Sequence, residues 1–156
     1  MTRTDHEVRD DISAATRRYL HVLGGKAEAT LYELAKALDE LVLAYHRTSH
    51  AEPDTTEGSA APATDELRII DAATEAFPDL DWYALVNPEG GPDQEVGMSI
   101  ATGDLAEIAS DLREVLWLFE NAGHNDAVWH FRFGYQTHWG RHLHEVRTYL
   151  HALAAW

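Results

Sequence analysis

Apolar residues recur at steps of three and four along most of the chain, the period of helices that bury one face. Val8, Ile12, Ala15, Tyr19 and Val22 predict a first helix from about Asp5 to Leu23, with Gly24 and Gly25 as its stop. Leu31, Leu34, Leu38, Leu41 and Tyr45 predict a second, from about Ala27 to Arg47. So short a break between two helices implies an antiparallel hairpin. Residues 48–64, TSHAEPDTTEGSAAPAT, carry two prolines, one glycine and no large apolar side chain, and read as a flexible acidic loop. Leu67, Ile70, Ala73 and Phe77 restore the helical period from Asp65, with Pro78 as the stop. DWYALV, from Asp81 to Val86, is a short extended segment, and the following NPEGGP is turn chemistry. A fourth long helix starts near Thr102 or Gly103, carries Leu105, Ile108, Leu112, Val115, Leu116 and Phe119 on one face, and ends at Asn121-Ala122-Gly123.

The last helix differs in kind. Capped by Asn125 or Asp126, it is expected to run unbroken to the terminus, with Val128, Phe131, Tyr135, Trp139, Val146 and Leu150 on one side. Trp129 and Phe133 lie on another side, so its first half should sit between neighbours. Gly134 and Gly140 each cost about 1 kcal/mol inside a helix and point to close approach by a backbone or a ring. The expected fold is an all-α, single-domain bundle of four to five helices over residues 1–156, with one short extended segment near 81–86.

Composition narrows the partners. Twelve Lys and Arg against 27 Asp and Glu give a net charge of −15. That argues against nucleic acid and anionic membranes, since phosphate binding rests on neutralising cations. There is no cysteine, which excludes disulfides and thiolate chemistry. No apolar run approaches the ~18 residues of a membrane span and the N-terminus is polar, so a soluble, cytoplasmic protein is expected. Charge is uneven: from Glu52 to Glu95 twelve carboxylates face one base, Arg68, or −11. Six of the ten histidines fall after residue 123, where the Arg and carboxylate balance is +1.

HWGRH is the sharpest local motif. His138 and His142, four apart on one helix, can share a metal, with His46 as a third ligand and Glu145 or Asp104 completing the shell. One early histidine with a late HxxxH is similar to the metal-binding bundles of the DinB/YfiT type. Asp104, Glu107 and Asp111 form an acidic edge on the fourth helix that suits Mg²⁺, although a second acidic pair with the right spacing is missing. The five serines show no GxSxG elbow and GGK is not a P-loop.

From GDLAEIASDL to THWGRH the chain resembles the DUF5063 family of uncharacterised bacterial proteins. The resemblance is carried by Asp104, Leu105, Asp111, Leu112, Trp129, Arg132, Phe133, Thr137, His138, Trp139, Gly140, Arg141 and His142, with DWYALVNP before them. It implies a helical fold and no activity. The expected function is a non-enzymatic acidic adaptor that engages a protein partner, in the manner of an immunity protein, or a second copy of itself, with no cofactor. The alternative is a metal-dependent hydrolase or transferase using His138 and His142. The candidate binding residues are Asp104, Asp111, Arg132, Trp139 and Arg141, and either arginine is expected to pair with Asp104 or Asp111.

Overall fold

Thr4 opens the first helix with a capping box: its hydroxyl accepts from the Glu7 N–H, and the Glu7 carboxylate accepts from the Thr4 N–H. The computed structural model describes residues 3–25 and 29–153, so the expected helix start at Ala27 and the run to Trp156 lie outside the described residues. Helices α1 (Asp5–Leu23) and α2 (Leu31–His46) form the expected hairpin. Arg18, late in α1, pairs with Glu33 and Glu40, while Arg47 just beyond α2 reaches Asp11, so the two run antiparallel. Helix α3 (Glu66–Ala76) is capped by the Asp65 carboxylate, which accepts from the Arg68 N–H.

Helix α4 (Ala101–Asn121) is the centre of the molecule, packed against α1, α3, α5 and α6. Leu105, Ile108, Leu112, Val115 and Phe119 are buried on it as their spacing predicts. Ala101, Ala106 and Ala109 are buried too, which lets neighbouring helices approach on more than one side. Tyr19, buried in α1, donates its hydroxyl to the Leu105 carbonyl at 2.6 Å and ties the hairpin to this centre.

DWYALV does form a strand, β1 (Trp82–Leu85), and it has a partner the hydrophobic pattern did not reveal, β2 (Gly97–Ile100), which runs directly into α4. The strands pair antiparallel, Trp82 opposite Ile100 and Leu85 opposite Gly97. Four residues are too few to show an alternation, and GMSI holds a glycine and a serine.

The described residues are mostly helical as expected, but they form six helices rather than four to five. The last expected helix is broken at His138 into α5 (His124–Thr137) and α6 (Trp139–Ala152). The two glycines mark this corner. A methyl group on Gly134 would lie 2.6 Å from the Trp139 ring, and one on Gly140 would lie 2.8 Å from the Tyr135 carbonyl carbon. Neither Asn125 nor Asp126 caps α5, which begins at His124 without a side-chain cap. Asp126 instead accepts from the Thr55 N–H at 3.1 Å, and Asn125 donates to Asp54. The 48–64 segment, free of regular structure, is thereby tied across the start of α5. Among the described residues no helix is long and apolar enough to cross a membrane.

Candidate metal centre

The helix break at His138 lays α6 along α4, and the start of α6 meets the carboxylates of α4 at their three- and four-residue steps. His138 Nδ1 is 2.7 Å from Asp111 Oδ2, and His142 Nδ1 is 3.0 Å from Asp104 Oδ1. The other nitrogens of both rings converge on one atom, Glu107 Oε2: His142 Nε2 at 2.9 Å and His138 Nε2 at 3.2 Å. The imidazole centroids are 5.1 Å apart, and one donor atom from each of Glu107, His138 and His142 lies within 4.8 Å of the other two. Two ligands on a tetrahedral ion with bonds of about 2.05 Å stand about 3.3 Å apart, close to the observed nitrogen–oxygen spacings.

Asp104 anchors the arrangement from behind. It is 5% exposed and accepts from the Tyr83 hydroxyl and from the Ser99 hydroxyl at 2.9 Å, besides facing His142. The hairpin therefore serves the site, since β1 supplies Tyr83 and β2 supplies Ser99 from adjacent positions on its inner face. Burial pushes the Asp104 carboxyl up, but hydrogen bonds from His142, Tyr83 and Ser99 outweigh it and hold the group below the ordinary carboxylate range. The Asp104 hydrogen bond raises His142 above its ordinary value against the opposing effect of burial, with help from the nearby Glu107 charge. Burial and the Asp104 charge push the Tyr83 hydroxyl far up, so it stays protonated and donates.

A cavity of about 630 Å³ opens beside His138 and Asp111. Its floor is α5, where Trp129 and Phe133 stack with centroids 4.7 Å apart, and residues 53–58 form its other wall. Its size falls in the range of small-molecule sites.

Of the residues singled out in the sequence, Asp104, Asp111, His138 and His142 come together. His46 does not: it is exposed at the end of α2, beside Tyr45 and Tyr135, and Glu107 stands third in the cluster instead. Neither arginine pairs with Asp104 or Asp111. Arg132 donates to the Thr48 carbonyl and hydroxyl at 3.0 and 2.6 Å and lies over the Tyr45 ring, while Arg141 pairs with Glu145 on the surface. Histidines have taken the carboxylates the arginines were expected to find. Trp139 is fully buried against Phe131, which leaves it a packing role and no ligand surface. Tyr83 and Ser99 were missed: Tyr83 is 21 residues from its partner and leaves no local spacing signal, and Ser99, five residues before Asp104, lies on the strand the hydrophobic pattern did not reveal.

The chain belongs to the DUF5063 family, a domain of unknown function whose model matches residues 5–156. No curated protein matches it. Among solved structures it is similar to the crystal structure of protein BF1032 from Bacteroides fragilis, with a TM-score of 0.71 and 16% identity. That match covers 92% of this chain and 89% of the other, and it is a likeness of fold.

Proposed function

We propose that this DUF5063 protein binds one divalent transition-metal ion at Glu107, His138 and His142 and uses it in a hydrolytic or group-transfer reaction. One observation carries the reading. Both imidazoles turn Nδ1 toward a carboxylate and Nε2 toward the same oxygen, the orientation that carboxylate–histidine–metal triads require. The shared oxygen places both Nε2 atoms and one carboxylate within reach of a single ion, which is what supports a ligand set.

Two nitrogens and one carboxylate oxygen suit zinc and its neighbours better than magnesium, which prefers oxygen ligands. Three protein ligands leave a position for water or substrate, and a metal there would lower the pKa of bound water and polarise an acceptor oxygen. Asp104 and Asp111 fix the ring orientations rather than bind the ion, and the cavity against Trp129 and Phe133 gives the substrate its place. The adaptor reading rests on net charge, and on α4 three of the carboxylates behind that charge are taken up by histidines.

The test is elemental analysis of protein purified without an affinity tag or chelator, followed by titration with Zn²⁺, Mn²⁺ and Co²⁺. The expected result is about one ion per chain, a raised melting temperature, and loss of both in Glu107→Gln and His142→Ala. Less than about 0.2 ion per chain, with melting unchanged after each metal is added, overturns the reading.

A further inference from the structure

The outer face of the hairpin is apolar throughout. Opposed residues share a face, so Tyr83 and Ser99, which reach Asp104, define the inner side, and Trp82, Ala84, Met98 and Ile100 define the outer one. Val86 and Val96, one position beyond the paired residues on each chain, are exposed as well. Trp82 is 58% exposed, Val96 61% and Met98 57%, and no polar side chain interrupts the six. An antiparallel pair with one wet face ordinarily places polar residues there. These strands reverse that rule over both strands together.

We infer that this face is a twofold interface between two copies of the chain, an inference that stands whether or not the cluster on α4 and α6 holds a metal. The exposed fractions amount to about 500 Å² of apolar surface, at the upper end of the largest patch that ordinary monomers leave open. Two such faces packed sheet on sheet bury about 1,000 Å², where specific interfaces begin. A twofold contact requires a patch complementary to itself, and an uncharged, apolar face on two short strands meets that requirement. The surrounding charge selects the arrangement. Glu89, Asp93 and Glu95 lie in the connecting loop at one end of the hairpin, so an antiparallel stack sends the two acidic loops to opposite ends. The residual repulsion between two copies of net charge −15 is screened by salt. A cationic partner on the same face would be released by salt, so ionic strength separates the two occupants.

Sedimentation of the full chain, from about 1 to about 500 µM, measures the association. The expected result is a monomer–dimer equilibrium that tightens when NaCl rises from about 0.05 to about 0.5 M. Trp82→Ser, Met98→Lys and Val96→Lys should each weaken it by about 30-fold, the loss typical of a residue central to an interface. Their circular dichroism and metal content should match the parent, because the three side chains are exposed and none belongs to the metal cluster. A monomer at the highest concentration, a dimer that survives all three substitutions, or a dimer that salt dissociates overturns the inference.

Discussion

Replacing Gly140 by alanine tests the corner between α5 and α6 by the sign of its effect. In an unbroken helix, the expectation from the sequence, alanine stabilises by about 1 kcal/mol relative to glycine. In the structure the added methyl group meets the backbone of Tyr135, 2.8 Å from its carbonyl carbon and nearer still to the oxygen, and 2.9 Å from the Tyr135 ring. A side-chain tip could swing away, but a carbonyl inside α5 cannot without opening the corner. The neighbouring Trp139 is 0% exposed, so a shift of the corner disturbs the core as well. Overpacking of this kind costs about 3 kcal/mol, and the helix gain offsets a third of that. The net loss is about 2 kcal/mol, or about 4–8 °C in melting temperature for a chain of this size. Urea unfolding followed by tryptophan fluorescence, with thermal melts by circular dichroism, measures it. Gly123→Ala is the control, since nothing lies within 4 Å of its methyl position. An alanine at 140 that leaves stability within about 0.5 kcal/mol of the parent, or raises it, would refute the broken helix. Because His138 is the corner residue, a true clash should also lower metal affinity in the same variant.

Other substitutions separate the roles of the polar residues. Asp104→Asn should cost about 3 kcal/mol in urea unfolding, because it leaves buried donors facing a neutral amide, and it should weaken metal binding about 10- to 100-fold. Arg132→Met should cost about 1–2 kcal/mol through the lost Thr48 hydrogen bonds and the Tyr45 ring contact, without changing metal affinity. Arg141→Ala, at an exposed pair with Glu145, should leave the melting temperature unchanged. In metal-free protein the Asp104–His142 pair sets two limits that urea midpoints across pH can read. The lowered Asp104 contributes fully above its ordinary 3.8 and loses that contribution as pH falls through its lower folded value. The raised His142 contributes fully below 6.5 and loses its share as pH rises through the folded value, an arm that Asp104→Asn should flatten.

Helices with one buried face were legible because each residue's fate depends on neighbours three and four positions away. The Leu31-to-Tyr45 stripe and most of the α4 face fall where their spacing puts them, Leu118 being buried where Leu116 was expected. The corner at His138 was not legible as a break, although its cause was visible. Two glycines six residues apart signal close approach, but whether a foreign helix or the same chain approaches depends on where Trp139 turns. Strand β2 was hidden for a different reason. Its inner residue, Ser99, is polar because it serves Asp104, and its outer residues are apolar, so the alternation of an ordinary half-buried strand is inverted.

The candidate site shows the same division between local and distant information. His138 and His142 were read as a pair on one helix face, and they do meet, but through a corner residue and the first turn of the helix after it. The acidic edge of α4 was read as a feature suited to magnesium, with Asp104 alone also offered to the histidine pair. Neither half identifies the site alone, because HxxxH in a histidine-rich segment and a charged helix flank are each common. Their conjunction is specific. Positions 104, 107 and 111 carry carboxylates at steps of three and four, and positions 138 and 142 carry imidazoles at a step of four. Antiparallel helices therefore match the two ladders, Asp111 to His138 and Asp104 to His142, with Glu107 between them. An arginine at either histidine position would satisfy the carboxylates as well but could not ligate a metal, since its guanidinium stays protonated and offers no lone pair. That choice of imidazole on both rungs is the feature a purely structural clamp does not require.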